Sequence, residues 1–155
     1  MRFFKLLTMT AIRESEPKLP VGVVIFSKDR SRVLLVQHRA TEGSKAGLVG
    51  IPAGRPEAGE RIKSTGVREV RQETGLIPSN LVEYPGNIYR GLIVTEGKRK
   101  RYALRALAAL GYRGEERASE ETEKPVWARI DTLGRRRNLM PSVEKIVFDA
   151  LKVIS

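Results

Sequence analysis

Apolar positions change their period several times along the chain, and each change marks an element. Two short runs rich in β-branched residues, 21–26 and 33–36, flank the turn-forming stretch 27–31 and predict a hairpin of largely buried strands. Between residues 41 and 59 the pattern lapses. Glycines and prolines crowd that stretch, among them Gly50, Pro52, Gly54 and Pro56, which marks irregular backbone able to approach a ligand closely. Helical spacing resumes over 61–74. Ile62, Gly66, Val67 and Val70 share one side, Arg61, Ser64, Arg68 and Arg71 are expected to turn toward water, and Gly75 is a left-handed stop. Glycine in mid-helix costs about 1 kcal/mol against alanine, so Gly66 predicts very close packing or a helix that depends on its neighbours.

Farther along, 87–95 and 101–112 flank the turn 96–100 as a second hairpin, although the alanines and leucines of 101–110 also fit a helix. Residues 126–130 predict a short strand. Val143, Ile146, Val147, Ala150, Leu151 and Ile154 recur at helical spacing behind Pro141 and Ser142, which predicts an amphipathic C-terminal helix over about 142–154, packed on the sheet. There is no internal repeat and no long linker. The expected organisation is an N-terminal strand or arm at 1–19 and a single domain at 20–155. The N-terminal stretch carries Arg2 and Lys5 and falls short of the ~20 apolar residues that cross a bilayer, so no membrane role and a cytoplasmic location are expected.

A length of 155 residues suits one domain with a real core. Composition then narrows the chemistry. Lysine and arginine number 29 against 18 acidic residues, a net charge of +11 that favours an anionic partner. The absence of cysteine excludes a disulfide scaffold, a thiolate zinc site and a cysteine nucleophile, and a lone His38 excludes a multi-histidine metal site. Ser44 and Ser64 sit in no nucleophile elbow, which argues against serine hydrolysis.

The chemistry concentrates in 54–76. Glu69 and Glu73 stand four apart on the predicted helix, with Cβ atoms expected ~5–6 Å apart on one face and Gln72 on the same side. Two adjacent carboxylates repel, and a divalent cation removes that cost while also bridging substrate phosphates. The pair adjoins the apolar stripe, so it is expected at the margin of the buried face, lining a cleft.

The segment resembles the signature of the Nudix hydrolases. It reads Gly54, five residues, Glu60, seven residues, Arg68-Glu69, Val70, Arg71, Gln72-Glu73, Thr74, Gly75 and Leu76, and departs from the family pattern only at Gln72, where glutamate is usual. The resemblance extends more weakly over residues 20–151. It implies an α/β fold, an α/β/α sandwich around a mixed sheet. It also implies pyrophosphohydrolysis of a nucleoside diphosphate linked to another moiety, with Mg²⁺ or Mn²⁺ as cofactor. Carried onto this sequence, Glu69 and Glu73 are metal ligands with catalytic roles, and a backbone carbonyl near Gly54 completes the shell. Arg68 orients a carboxylate, and Glu60 makes a supporting salt bridge. Gln72 leaves two readings open: an active enzyme with fewer or weaker metals, or a nucleotide- or RNA-binding module with little turnover.

Some family members take the general base from a distant loop, and Glu121, then Glu120, are the candidates in the acidic run before Trp127. Arg39 and Lys45 are expected to bind substrate. The basic runs 98–101 and 135–137 are either solvated or steer a polyphosphate or an RNA 5′ end. Tyr84, Tyr89 and Tyr102 are equally placed to stack on a base. Ala53, where many nucleoside triphosphate cleavers have glycine, leans toward a nucleotide sugar such as ADP-ribose. The expected partners are a nucleotide or nucleotide-linked compound or an RNA end, with the chain a monomer or a homodimer.

Overall fold

The computed structural model describes residues 18–39, 43, 46–95 and 97–155. The elements run β1 (Val21–Val24), β2 (Arg32–Gln37), β3 (Val49–Gly50), β4 (Ala53–Gly54), α1 (Ile62–Thr74), β5 (Ile77–Val82), β6 (Ile88–Thr95), β7 (Lys98–Arg113), β8 (Val126–Arg129) and α2 (Val143–Ile154), with a short 3-10 turn at Leu133–Arg135. The architecture is a mixed sheet carrying one helix on each face. Most of the predicted N-terminal arm, and Lys45, lie outside the described residues.

β7 organises the sheet. Its middle pairs parallel with β1 (Val21↔Arg105 to Val24↔Ala108), its C-terminal half antiparallel with β5, and its N-terminal half antiparallel with β6. This settles the ambiguity of 101–110 in favour of strand. Leu104, Ala106, Leu107, Ala108 and Ala109 are all buried, on alternating faces, and a helix there would expose half of them. The second predicted hairpin therefore forms, with a tighter turn: Thr95 pairs with Lys98, so Lys98, Arg99 and Lys100 belong to the strand.

The first predicted hairpin is corrected. Its turn exists, with Phe26 bridged to Val33 and the Leu34 N–H donating to the Ile25 carbonyl at 2.9 Å. Beyond it the strands part. β1 enters the five-stranded sheet between β4 and β7, whereas β2 joins a separate three-stranded sheet between β3 and β8. Both runs are buried on both faces, so burial alone assigns no strand a partner.

Alternation along β1 sorts the core into two layers. Val21, Val23 and Ile25 join Val70, Leu81 and Leu107 beneath α1, while Val24 and Phe26 join Ala106, Ile146 and Val147 beneath α2. Gly66 explains itself here. A Cβ at that position would lie 2.9 Å from Val23 Cγ2 and 3.2 Å from Leu81 Cδ1, so the bare backbone lets α1 settle onto the sheet. Gly75, at φ 82°, ends the helix, and its N–H donates to the Arg71 carbonyl at 3.0 Å.

Candidate metal and active site

The close seating of α1 brings its acidic side chains against the backbone of β4. Glu73 is buried, 4% exposed, and its Oε2 accepts the Ala53 N–H at 3.4 Å. The Glu69 carboxylate lies directly over Gly54, where any Cβ would overlap it. Any side chain at 54 would push the Glu69 carboxylate out of this position. β4 is held there by its antiparallel pairing to β1, Val21↔Gly54 and Gly22↔Ala53.

Arg68 does not turn toward water as the helical wheel predicts. Its Nε and Nη2 donate to both oxygens of Glu60 at 2.8 and 2.9 Å, and its Nη1 donates to Glu69 Oε1 at 2.7 Å. The same guanidinium reaches the Arg55 carbonyl at 2.9 Å and Gln72 Oε1 at 3.3 Å. It ties the loop before α1, the helix start and one of the two acidic side chains into one unit. The reason is the chain's turn at 55–60, which brings Glu60 back over the helix and which a wheel projection cannot contain.

The charges respond accordingly. The Arg68 guanidinium, with the Thr65 hydroxyl, holds the Glu60 carboxyl well down, to about 2. The Arg68 pKa is raised, by Glu60 first. Burial pushes Glu69 up, opposed by Arg68 and aided by the negative field of Glu121 and Glu60. Without a cation, Glu69 therefore gives up its proton less readily than an ordinary glutamate.

Glu69, Glu73 and Glu121 line two adjoining cavities. One, of about 380 Å³, has Gly54, His38, Lys100, Arg101 and Tyr102 on its other walls. The second, of about 320 Å³, is bounded by Gln72, Arg117, Ser119 and Glu120. The 119–123 loop that carries Glu121 is fastened: Thr122 Oγ1 donates to the Glu73 carbonyl at 3.0 Å, and the Arg39 N–H donates to the Glu121 carbonyl at 3.0 Å.

Arg39 lies elsewhere than expected. Its side chain pairs with Glu123 at 3.1 Å and donates to the Ser119 carbonyl at 3.0 Å, in a hollow that contains none of the three carboxylates. It braces the loop. Of the three tyrosines, only Tyr102 reaches the acidic cavities, and its hydroxyl is pushed up to about 12 by burial and the nearby charge of Glu73. Tyr84 and Tyr89 are buried against each other with hydroxyls 3.1 Å apart, and Tyr89 donates to Asp149. They are core residues. Trp127 packs against Tyr112 with ring centroids 5.2 Å apart and planes tilted by 38°, and its indole N–H donates to Glu116. His38, 9% exposed and bridged through its backbone to Thr122, faces the larger cavity, as do Lys100 and Arg101 from one of the two basic runs. Arg117 had no signal in the sequence beyond being one of many arginines.

A sequence model of the NUDIX domain matches residues 16–150, nearly the whole chain. The chain belongs to the NUDIX family. Solved structures agree with its fold. The NUDIX domain of Shewanella oneidensis NrtR, solved with ADP ribose, is 17% identical with a TM-score of 0.70, over 91% of this chain and 90% of that one. A MutT NUDIX hydrolase from Burkholderia pseudomallei is 21% identical with a TM-score of 0.65, over 86% and 98%. A MutT protein from Bacillus halodurans is 25% identical with a TM-score of 0.63, over 88% and 82%. The chain is accordingly a Nudix-type hydrolase. Among the described residues no helix is long and apolar enough to cross a membrane.

Among the described residues no three His, Cys, Asp or Glu side chains form a preassembled metal cage. The donor set nevertheless suits a hard cation such as Mg²⁺. Such an ion retains several waters and takes one or two carboxylates plus substrate phosphates, rather than an all-protein shell. Glu69 and Glu73 offer two carboxylates at the margin of the buried face, and the raised pKa of Glu69 is the cost that a cation would relieve.

Proposed function

We propose that this Nudix hydrolase is a divalent-cation-dependent pyrophosphohydrolase. Its substrate is a nucleoside diphosphate linked to another moiety, a nucleoside triphosphate or a nucleotide sugar such as ADP-ribose. The observation that carries this reading is that Glu69, Glu73 and Glu121 line one cavity together with Lys100 and Arg101. The acidic side chains suit a cation, and the basic ones suit phosphate oxygens.

Glu69 and Glu73, with a carbonyl at Gly54, would hold Mg²⁺ or Mn²⁺, which when bound neutralises the pyrophosphate bridge and stabilises charge building on it. Arg68 fixes the Glu69 carboxylate by its 2.7 Å bond and so acts as a positioning residue, with Glu60 behind it. Glu121, ahead of Glu120, is the general base: its carboxylate would take a proton from the attacking water on the open side of the two metal-binding glutamates. Products are a nucleoside monophosphate and a phosphorylated remainder. The ADP ribose bound by the Shewanella domain supports a nucleotide-linked ligand.

The test is a hydrolysis screen with Mg²⁺ or Mn²⁺ over nucleoside triphosphates, ADP-ribose and 5′-triphosphorylated RNA. Cleavage of at least one class, abolished by EDTA, is expected. Tight nucleotide binding in calorimetry with no cleavage across the panel would overturn it in favour of a second reading, a catalytically weak nucleotide- or RNA-binding module. Gln72 favours that alternative, because a neutral amide lines the cavity where the family pattern has a carboxylate. A large gain in metal-dependent rate in Gln72→Glu would mark the site as degenerate.

A further inference from the structure

The outward side of α1 carries a third cavity that the proposed chemistry leaves unused. It is a groove of about 700 Å³, larger than either cavity at the glutamates. Two helical stripes, 63–67–71 and 64–68–72, form one wall, and Pro78, Asn80 and Leu81 at β5 form the other. Its charge is one-sided. Lys63, Arg68, Arg71 and Arg117 line it and no carboxylate does. Arg68 is already committed to Glu60 and Glu69, but among the described residues Lys63, Arg71 and Arg117 form no ion pair. The half-buried Val67 adds apolar surface between the cations, and the buried Pro78 and Leu81 close the floor of the groove behind it.

This groove adjoins the acidic site. Gln72 and Arg117 line both the groove and the smaller cavity at Glu69 and Glu73. Arg117 is fixed at the crossing: its N–H donates to the Thr74 carbonyl at 2.8 Å, its Nη2 to the Arg71 carbonyl at 3.3 Å, and its stem packs on Gly75. A cation at the C-terminal end of α1 is also favoured by the helix dipole. Glutamate at 72 would put a negative charge on this crossing, beside Arg68 and Arg117, and repel any anion that passed over it. A glutamine keeps the passage open.

We propose that the groove is a second subsite, which takes a nucleotide unit attached to the one that carries the pyrophosphate. Arg71 and Arg117 bind its phosphodiester, Lys63 adds positive field at the far end of the groove, and the base of the unit lies against Val67. Gln72 is then a specificity-determining residue that admits an extended polyanion. The inference rests on the pyrophosphohydrolase reading only for what lies at the other end of the substrate.

The experiment is calorimetry of the full chain in EDTA at low salt, with AMP and the 5′-phosphorylated dinucleotide pApA as probes. The dinucleotide is expected to bind about tenfold tighter, the worth of one charge-assisted contact. Lys63→Glu and Arg71→Glu each bring pApA back toward AMP and leave AMP itself unchanged, while Gln72→Glu, which also touches the cavity at the glutamates, weakens pApA more than AMP. One phosphodiester neutralised on a single strand predicts that the slope of log affinity against log salt steepens by about 0.7 from AMP to pApA. Equal affinities for the two probes, or an advantage of pApA untouched by Lys63→Glu and Arg71→Glu, overturns the subsite. Equally tight binding of a glutamate-rich peptide overturns it as well, by assigning the groove to an acidic protein partner. No turnover enters this measurement. Hydrolysis with equal affinities therefore sinks the subsite alone, and selective pApA binding without hydrolysis sinks the enzymatic reading alone.

Discussion

The two helices cover opposite faces of one sheet and bury opposite kinds of surface. α2 buries Val143, Ile146, Val147 and Ala150, an aliphatic stripe. α1 buries Thr65, Gly66, Val70, Glu73 and Thr74, of which only Val70 is a large apolar side chain. Burying an aliphatic side chain contributes about 1.5–3 kcal/mol, so α2 anchors itself and α1 does not. α1 is held instead by the missing side chain at Gly66, the left-handed stop at Gly75 and the bonds of Arg68 and Glu60. The contrast teaches how acidic groups come to be placed in a fold's interior. A helix that must bring carboxylates against backbone gives up its greasy face, and the opposite helix supplies the stability that this costs.

The sharpest break of that contrast is functional. Glu73→Gln should lower metal-dependent turnover by about three orders of magnitude, as loss of a group essential to the transition state does, while the melting temperature stays put. Steady-state kinetics beside thermal unfolding check both halves, and full activity in this variant would remove the site. The converse holds on the far face. Ile146→Ala should cost about 3 kcal/mol in denaturant unfolding and leave the rate per folded molecule unchanged, because a fully buried isoleucine leaves a cavity remote from the carboxylates.

Gly66→Ala sharpens the comparison. On an exposed helix it would stabilise by about 1 kcal/mol, but here the new methyl meets Val23, a β-branched side chain with little freedom to give way. A net loss of about 1–2 kcal/mol is expected, with a rate decrease that accompanies displacement of Glu69 and Glu73. Unchanged stability would show that α1 is less tightly seated than the contacts indicate.

The smallest effects concern pH. Glu60 is lowered from 4.5 to about 2, so its stabilising contribution is fully present above pH 4.5 and is lost as pH falls toward 2. Glu60→Gln should flatten the acid limb of melting temperature against pH in that window. Glu69 is displaced the opposite way: its raised pKa favours the protonated fold, and that advantage is lost as pH rises through it. Cation affinity should therefore climb with pH through the same range, with proton release detectable by calorimetry in buffers of different ionisation heat. A pH-independent affinity would show that the ion displaces no proton from Glu69.

Much of this was legible along the chain because it is written in local spacing. A separation of four positions places Glu69 and Glu73 on one helical face whatever the rest of the fold does, and 3.6-residue periodicity marks 143–154 without ambiguity. The left-handed stop at Gly75 follows from glycine's freedom at positive φ, and the run from Gly54 to Leu76 is enough to name a family. What depended on distance in three dimensions was not legible. Whether 101–110 is strand or helix turns on partners from β1, β5 and β6 that saturate its hydrogen bonds, and these outweigh its helical propensity. The parting of β1 from β2 is decided by which strand finds which neighbour, since both are apolar throughout. The direction of Arg68, the bracing role of Arg39 and the meeting of Arg117 with Gln72 all require chain segments 8 to about 80 residues apart to touch. Spacing along a helix is fixed by covalent geometry, whereas the neighbours across a core are chosen by packing, and only the folded chain contains that choice.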